Sequence, residues 1–441
     1  MRVKLVCLAA LTLPALYAQP ASLNLQSILD RLDRLEREND ALRAELAALR
    51  EEVARAEAAL PKPPPTERLD VHEARIQELA QTRVQAASRY PIHLTGMALF
   101  NLWWTGPFGG DQQFPISAQL IRTRANAGGT FRQSVLGFRF SGPEVAGGGK
   151  VSGSLHTDFF AGAGNSLNQL LRVRVASVQI DWKNFTVMGG QEKPLIAPRE
   201  PTSLAQVGVS PLTGAGNLWR WIPQARIERR FGLGAGAGLR AEAGVVQTNE
   251  TATVVSEEYA GTVVPSRPGF EGRLEFWRYF SSDRRIEVAP GFHTSTSHVA
   301  GGRIPSRIVS MDWLLRPAGR LEFTGAFFHG RNVTVLGALR QGFMIDGGRA
   351  RGVLARGGWG QLAFRASSRL TLHAFTGQQD DRNSDLAPGR IGKNLVMGAN
   401  SIYRVAPNVL VSFEGASIRT YFLGAGLRTV NHYDLALAYQ F

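Results

Sequence analysis

Cysteine is almost missing from this 441-residue chain, and the only one is Cys7. Disulfide staples, thiol catalysis and cysteine metal sites are therefore excluded from everything beyond the first few residues. Charge is sparse as well, at 20% of residues against a usual ~25%. After Ala18 no stretch offers the ~18 uncharged apolar residues that a transmembrane helix requires. Of the eight histidines only His293 and His298 stand at a metal-ligand spacing, with no cysteine to complete a set, so neither a metal nor another cofactor is expected. Residues 234–238 alternate glycine and alanine, but they open a strand pattern. They have no helix N-terminus with which to hold phosphate. No enzyme is expected from such a chain.

What is present divides into two parts. Residues 1–90 hold 13 basic and 13 acidic side chains, so the net charge of +14 falls wholly on residues 91–441. Residues 1–4 are basic, residues 5–16 are apolar, and Ala18 is a plausible cleavage position. This pattern predicts a secretory signal peptide over 1–18. Export, together with the scatter of the arginines, argues against nucleic acid as the partner of the basic excess.

Residues 22–60 read as a parallel coiled coil. Leu25, Ile28, Leu32, Leu35, Asn39, Leu42, Leu46 and Leu49 alternate spacings of three and four, the 3.5-residue period of a seam. With Leu25 at position a, three of the four g-to-e contacts pair opposite charges. Asn39 at an a position favours identical chains in register. The motif from Arg31 to Glu36 points to a homotrimer rather than a dimer. Residues 61–90 follow as a proline-rich linker and a short helix, because Pro61-Lys62-Pro63-Pro64-Pro65 cannot continue a helix.

From residue 91 the pattern changes to segments of about ten residues with a period of two. Val151, Gly153, Leu155 and Thr157 interleave with Ser152, Ser154, His156 and Asp158. Leu239, Ala241, Ala243 and Val245 interleave with Arg240, Glu242 and Gly244. Short polar turns fall at 142–149, 183–185, 230–233, 281–283, 317–319, 367–368 and 406–408. Longer connections fall at 105–131, 161–169, 192–216, 248–268, 298–303, 331–354, 379–392 and 421–430. Seven turns and eight loops join sixteen strands. Short turns on one rim and long loops on the other are what an outer-membrane barrel shows. The expected fold is an all-β transmembrane barrel of about sixteen antiparallel strands, preceded by an N-terminal α-helical coiled coil. The last residues fit this. Tyr433, Leu435, Leu437, Tyr439 and Phe441 form an apolar row like the terminal strand that barrel proteins present to their insertion machinery. Trp103-Trp104, Trp219 with Trp221, Trp277 with Tyr279, and Trp313 stand near strand ends, as interface aromatics do.

Three segments carry a family resemblance: Leu136-Gly137-Phe138-Arg139-Phe140, Val178-Gln179-Ile180-Asp181-Trp182-Lys183-Asn184, and the stretch from Asn217 to Arg226. With the signal peptide, coiled coil and barrel, they resemble the DcaP-like trimeric porins of Gram-negative outer membranes. The resemblance implies passive passage of small anionic solutes such as dicarboxylates. It also implies a coiled coil in the periplasm that helps the barrels trimerise. The competing reading is a structural anchor that reaches the cell wall through the coiled coil, or an adhesin.

If the apolar parity faces lipid, the opposite parity faces the lumen. That places Arg139, Arg220, Arg226, Arg240, Arg273 and Arg285 in the pore as anion-attracting groups. Lys193 and Arg199 join them if the proline-bearing connection at 192–216, the third long one, folds inward to narrow the barrel. Arg172 and Arg174 share parity with Val178 and Ile180, which puts them on the lipid side. Part of the remaining charge is expected on outer loops, against anionic lipopolysaccharide.

Overall fold

The computed structural model describes residues 92–110, 112–161 and 170–441, together with nine positions between Arg34 and Glu51. The chain divides into two units, Met1–Val84 and Gln85–Phe441. In the first, Arg34, Arg37, Asp40, Ala41, Ala44, Glu45, Ala47, Ala48 and Glu51 are helical and exposed. None of the nine is an a or d position of the expected heptad. The seam residues Leu25 to Leu49, the signal segment and the linker lie outside the described residues.

The second unit is a closed antiparallel barrel. Its first wall strands are β1 (Ile92–Thr105), β2 (Asn126–Thr130), β3 (Val135–Val145), β4 (Gly149–Ala161), β5 (Leu170–Asp181) and β6 (Phe185–Glu192). Next come β7 (Ile222–Gly234), β8 (Ala237–Gln247), β9 (Pro268–Ser281), β10 (Arg284–Val299), β11 (Gly302–Ala318) and β12 (Leu321–Arg331). A small hairpin, β13 (Phe343–Asp346) and β14 (Arg349–Gly352), sits within a loop. The wall resumes with β15 (Leu354–Arg365), β16 (Leu370–Asp381), β17 (Ile391–Ala406), β18 (Val409–Phe422) and β19 (Gly426–Gln440). β2 and β3 both pair with β1, one along 101–105 and the other along 92–97. They are two halves of one wall strand, so the barrel has sixteen. Where they part, Ser134 Oγ accepts from Leu99 N (2.9 Å) and donates to Leu99 O (3.2 Å). β1 pairs with β19 and closes the ring.

The alternation has the expected phase in β19. Tyr433, Leu435, Leu437 and Tyr439 point outward, 44–53% exposed, while Asp434, Ala436 and Ala438 between them are buried. Trp104 faces outward against Tyr433. Trp103 and Trp277 take the inward parity instead, opposite Asp434 and Glu287, so the aromatic girdle holds fewer members than the sequence suggests.

Two connections are shorter than expected. Only Ala300 and Gly301 join β10 to β11, both in the left-handed region (φ 50° and 68°). Such a turn matches the right-handed twist of a hairpin, and it lets these strands reach 16 and 17 residues. Residues 423–425 alone join β18 to β19. On the opposite rim, the turn expected at 230–233 falls at 235–236.

The parity of Arg172 and Arg174 is also corrected. The β4–β5 register shifts between His156 and Thr157, leaving Arg174 as an extra residue. A bulge of this kind reverses which face the following side chains take. Both arginines turn inward to Asp158, at 2.6 and 3.8 Å.

The lumen is not lined by water throughout. Inward-facing Ile308, Phe328 and Ala355 of the wall pack with Leu195, Ile196, Leu218, Val333, Val335 and Leu336 from two loops. Trp359, Phe375, Val396, Ile418 and Val430 are covered by Ala118, Leu212 and Ala215. Burying a large aliphatic or aromatic side chain contributes roughly 1.5–3 kcal/mol. These clusters therefore draw the loops into the barrel.

Candidate pore constriction

The connection between β6 and β7, residues 193–221, crosses the inside of the barrel. Pro194, Pro198, Pro201 and Pro211 remove four of its backbone donors, and much of what remains is satisfied by the wall. Leu195 N donates to Glu271 Oε2 on β9 (2.7 Å), and Ser310 of β11 donates to Ile196 O (3.2 Å). Thr202 exchanges hydrogen bonds with Gln361 of β15 (2.9 and 3.1 Å) and accepts another from Asn400 of β17 (2.9 Å). Ser203 donates to Glu414 of β18 (2.6 Å), and Asn101 of β1 donates to Leu204 O (2.8 Å). Gln133, between β2 and β3, donates to Ala205 O (2.7 Å) and accepts from the amides of Val207 and Gly208 (2.7 and 2.8 Å). Asn394 of β17 donates to Gly214 O (3.0 Å). The segment is thus held from nearly every side of the ring.

One of these contacts has the connectivity of a catalytic relay. His293 Nδ1 lies 3.0 Å from Glu271 Oε1, and its Nε2 lies 2.9 Å from Ser295 Oγ. All three side chains are buried under the loop, with Ser295 only 8% exposed. The free oxygen of Glu271 is the one that holds Leu195 N. The triad seats the loop and offers no path to a substrate.

Charge at the constriction is mostly neutralised. Arg199 reaches from the loop to Asp312 (2.7 Å), Glu287 (2.6 Å) and Glu275 (3.5 Å). Arg273 meets Glu242 (2.5 Å), Glu275 (2.5 Å) and Asp312 (2.8 Å). Arg240 pairs with Glu275 at 2.8 Å, and Arg285 with Glu287 at 3.2 Å. Four arginines share four carboxylates in one network. Lys193 pairs with Glu200 within the loop at 2.7 Å. Burial works to raise the Glu200 carboxyl, but the Lys193 ammonium and hydrogen bonds from Lys193 and Ser210 hold it below its ordinary value. Lys193, Arg199, Arg240, Arg273 and Arg285, expected as anion attractors, thus each have a carboxylate partner.

Three of the expected residues have no carboxylate within 4.0 Å among the described residues. Arg226 is half-buried on the inward face of β7, and Arg139 is exposed on the inward face of β3. Arg220 lies before β7, on the loop rather than the wall, and its amide donates to Leu336 O (3.2 Å). There it joins Arg132 and Arg340 around a cavity of about 640 Å³. Phe114, Phe160 and Trp219 supply its apolar lining, and none of its described lining residues is acidic. Arg132 sits 4.3 Å over the Phe160 ring. Burial, and then the neighbouring charge of Arg340, press the Arg220 guanidinium down to about 10, which leaves it charged at neutral pH. Sequence alternation missed Arg132 and Arg340. The first stands in the break between β2 and β3, the second in the loop before β15, and period-two reasoning says nothing about either place.

No protein-family model matches the chain, and no curated protein sequence matches it. Solved structures do. The outer membrane channel DcaP of Acinetobacter baumannii is 16% identical, with a TM-score of 0.62, over 80% of this chain and 97% of that one. The anion-selective porin from Comamonas acidovorans is 13% identical, with a TM-score of 0.53, over 80% and 100%. A trimer form of in-vitro folded OmpT, an outer membrane protein of Vibrio cholerae, is 9% identical, with a TM-score of 0.50, over 80% and 100%. The chain, a barrel of sixteen strands, shares its fold with these outer-membrane proteins.

Proposed function

We propose that the chain is an outer-membrane porin, a water-filled channel that passes small solutes passively and prefers anions such as dicarboxylates. In this reading it assembles as a homotrimer, and residues 22–60 form a coiled coil in the periplasm. The observation that carries the anion preference is the cavity beside the inward-folded loop. Arg220 and Arg340 line it, and no acid is among the described lining residues. A narrow, low-dielectric passage amplifies such an excess and concentrates counter-ions. Arg139 and Arg226, with no carboxylate within 4.0 Å among the described residues, add charge elsewhere on the lumenal wall.

The test is a reversal potential across a planar bilayer under a salt gradient. The wild-type channel should favour the anion, and Arg220→Gln combined with Arg340→Gln should move the potential toward the cation. A cation-selective wild type, or no movement in the double variant, overturns the reading.

A further inference from the structure

The outer surface of the barrel carries cations where lipid would be expected. Val309 and Phe327 are 57% and 47% exposed and mark the outward parity of β11 and β12. Arg307, His329 and Arg331 share it. The strand register sets Arg307 directly opposite Arg331, and Val309 opposite His329. From there the row continues through Arg356, Asp380 and Lys393 on β15, β16 and β17. Asp380 is the one acid in it, 2.9 Å from Arg356 and 4.0 Å from Lys393.

Two features of this row call for an anion. Like charges directly opposite on neighbouring strands repel, and Arg307 and Arg331 are such a pair. Arg331 has partial relief from Asp385 at 3.7 Å, whereas Arg307 has no ion pair among the described residues. Arg331, Arg356, Asp380 and Lys393 stand within three residues of the long-loop-rim ends of β12, β15, β16 and β17, and Arg307 lies beside them, six residues into β11. Arginine on the lipid face is costly at the middle of a bilayer and nearly free at its interface. The row therefore belongs at headgroup level. Just beside it, Phe292, Val309, Arg307 and Arg331 border an outward groove of about 630 Å³. One end of the groove is apolar and the other is cationic.

We propose that this face binds a phosphorylated glycolipid of the outer leaflet. One phosphate bridges Arg307 and Arg331, a second lies toward His329 and Arg356, and an acyl chain runs along Phe292 and Val309. The assignment goes beyond solute selectivity and uses side chains that face away from the lumen. It rests on the barrel standing in an outer membrane.

The test uses the full chain, purified in detergent and titrated with bis-phosphorylated lipid A, with retained lipid counted by native mass spectrometry. The wild type should hold lipid A, and Arg307→Glu with Arg331→Glu should retain it more than about thirtyfold less well, given the contribution of each cation near an anionic surface. The same charge change at Arg278 and Arg284, exposed at the short-turn rim, should leave retention unchanged. Channel conductance should not change in either variant. If the glutamate variant fails to fold, Arg307→Gln with Arg331→Gln should still retain lipid A about thirtyfold less well. Equal retention by wild type and variant overturns the site. Displacement of lipid A by an equal concentration of inorganic phosphate overturns the lipid assignment.

Discussion

Phe441 and Gly96 close the barrel together. Gly96 N donates to Phe441 O (2.9 Å), Phe441 N donates to Gly96 O (3.1 Å), and the Phe441 ring covers the position of a missing side chain. A Cβ on Gly96 would lie 2.7 Å from that ring and 2.4 Å from Val135 O. Gly96→Val should therefore lower the fraction of chains that reach a folded, heat-modifiable barrel, as should deletion of Phe441. Molecules that do insert should conduct normally, because neither position lines the lumen. Wild-type levels of folded protein in both variants would count against this account of the seam.

Arg199→Gln should loosen the constriction. It leaves Asp312 and Glu287 without their shared partner in a mostly buried network. Asp312 keeps Arg273 and Glu287 keeps Arg285, so the cost falls below the ~3–5 kcal/mol of a buried ion pair broken outright. The variant should unfold at lower denaturant and show larger, noisier single-channel currents. Quiet currents of wild-type size would mean that the loop does not depend on this side chain.

Arg220 gives the channel an alkaline limb. Its folded pKa is pressed down to about 10, below the value it has when unfolded. Above that pH the folded chain is neutral at this position while the unfolded chain still binds the proton, so stability gains as pH rises through this window. Anion preference should decline over the same range. In Arg220→Gln the decline should be absent, which reversal potentials taken on either side of pH 10 can decide.

Glu200 acts at the other end of the scale. Its folded pKa lies below the ordinary value, so the Lys193 pair contributes stability above the unfolded pKa and loses it as pH falls through the folded one. The loop should stay latched in mild acid and release only in stronger acid. Glu200→Gln should remove that acid dependence of the current, and an unchanged acid profile would assign it to another carboxylate.

Deleting residues 22–60 should weaken the trimer without abolishing the channel. Asn39→Leu should strengthen association of the helices while relaxing their register, since a hydrocarbon no longer discriminates among alignments. Chemical cross-linking that yields only monomers from the intact chain would dismiss the coiled-coil proposal.

Much of the wall was readable because a strand has only two faces. In β8 and β19 the parity of a few side chains fixes the rest. That reasoning fails wherever one residue is inserted, and the bulge at Arg174 leaves no mark in composition. The inward loop was half legible. Its prolines advertise a segment poor in donors, yet its partners, from Asn101 to Glu414, are separated by most of the chain. Ion pairing was legible least of all. Arg199 and Asp312 are 113 residues apart, and only the closed barrel brings them together.

The way the inward loop is held has a consequence for biogenesis. Its anchors include Asn101 on the first strand and Glu414 on the second-last. Contacts between such distant parts of a chain form late, after the intervening segments are in place. An incomplete sheet lacks part of the loop's anchors, so an unsealed intermediate would be a wider and less selective passage. Narrowing of the passage is complete only when the last seam seals. A cell using this protein must therefore keep the growing sheet shielded until its two ends meet.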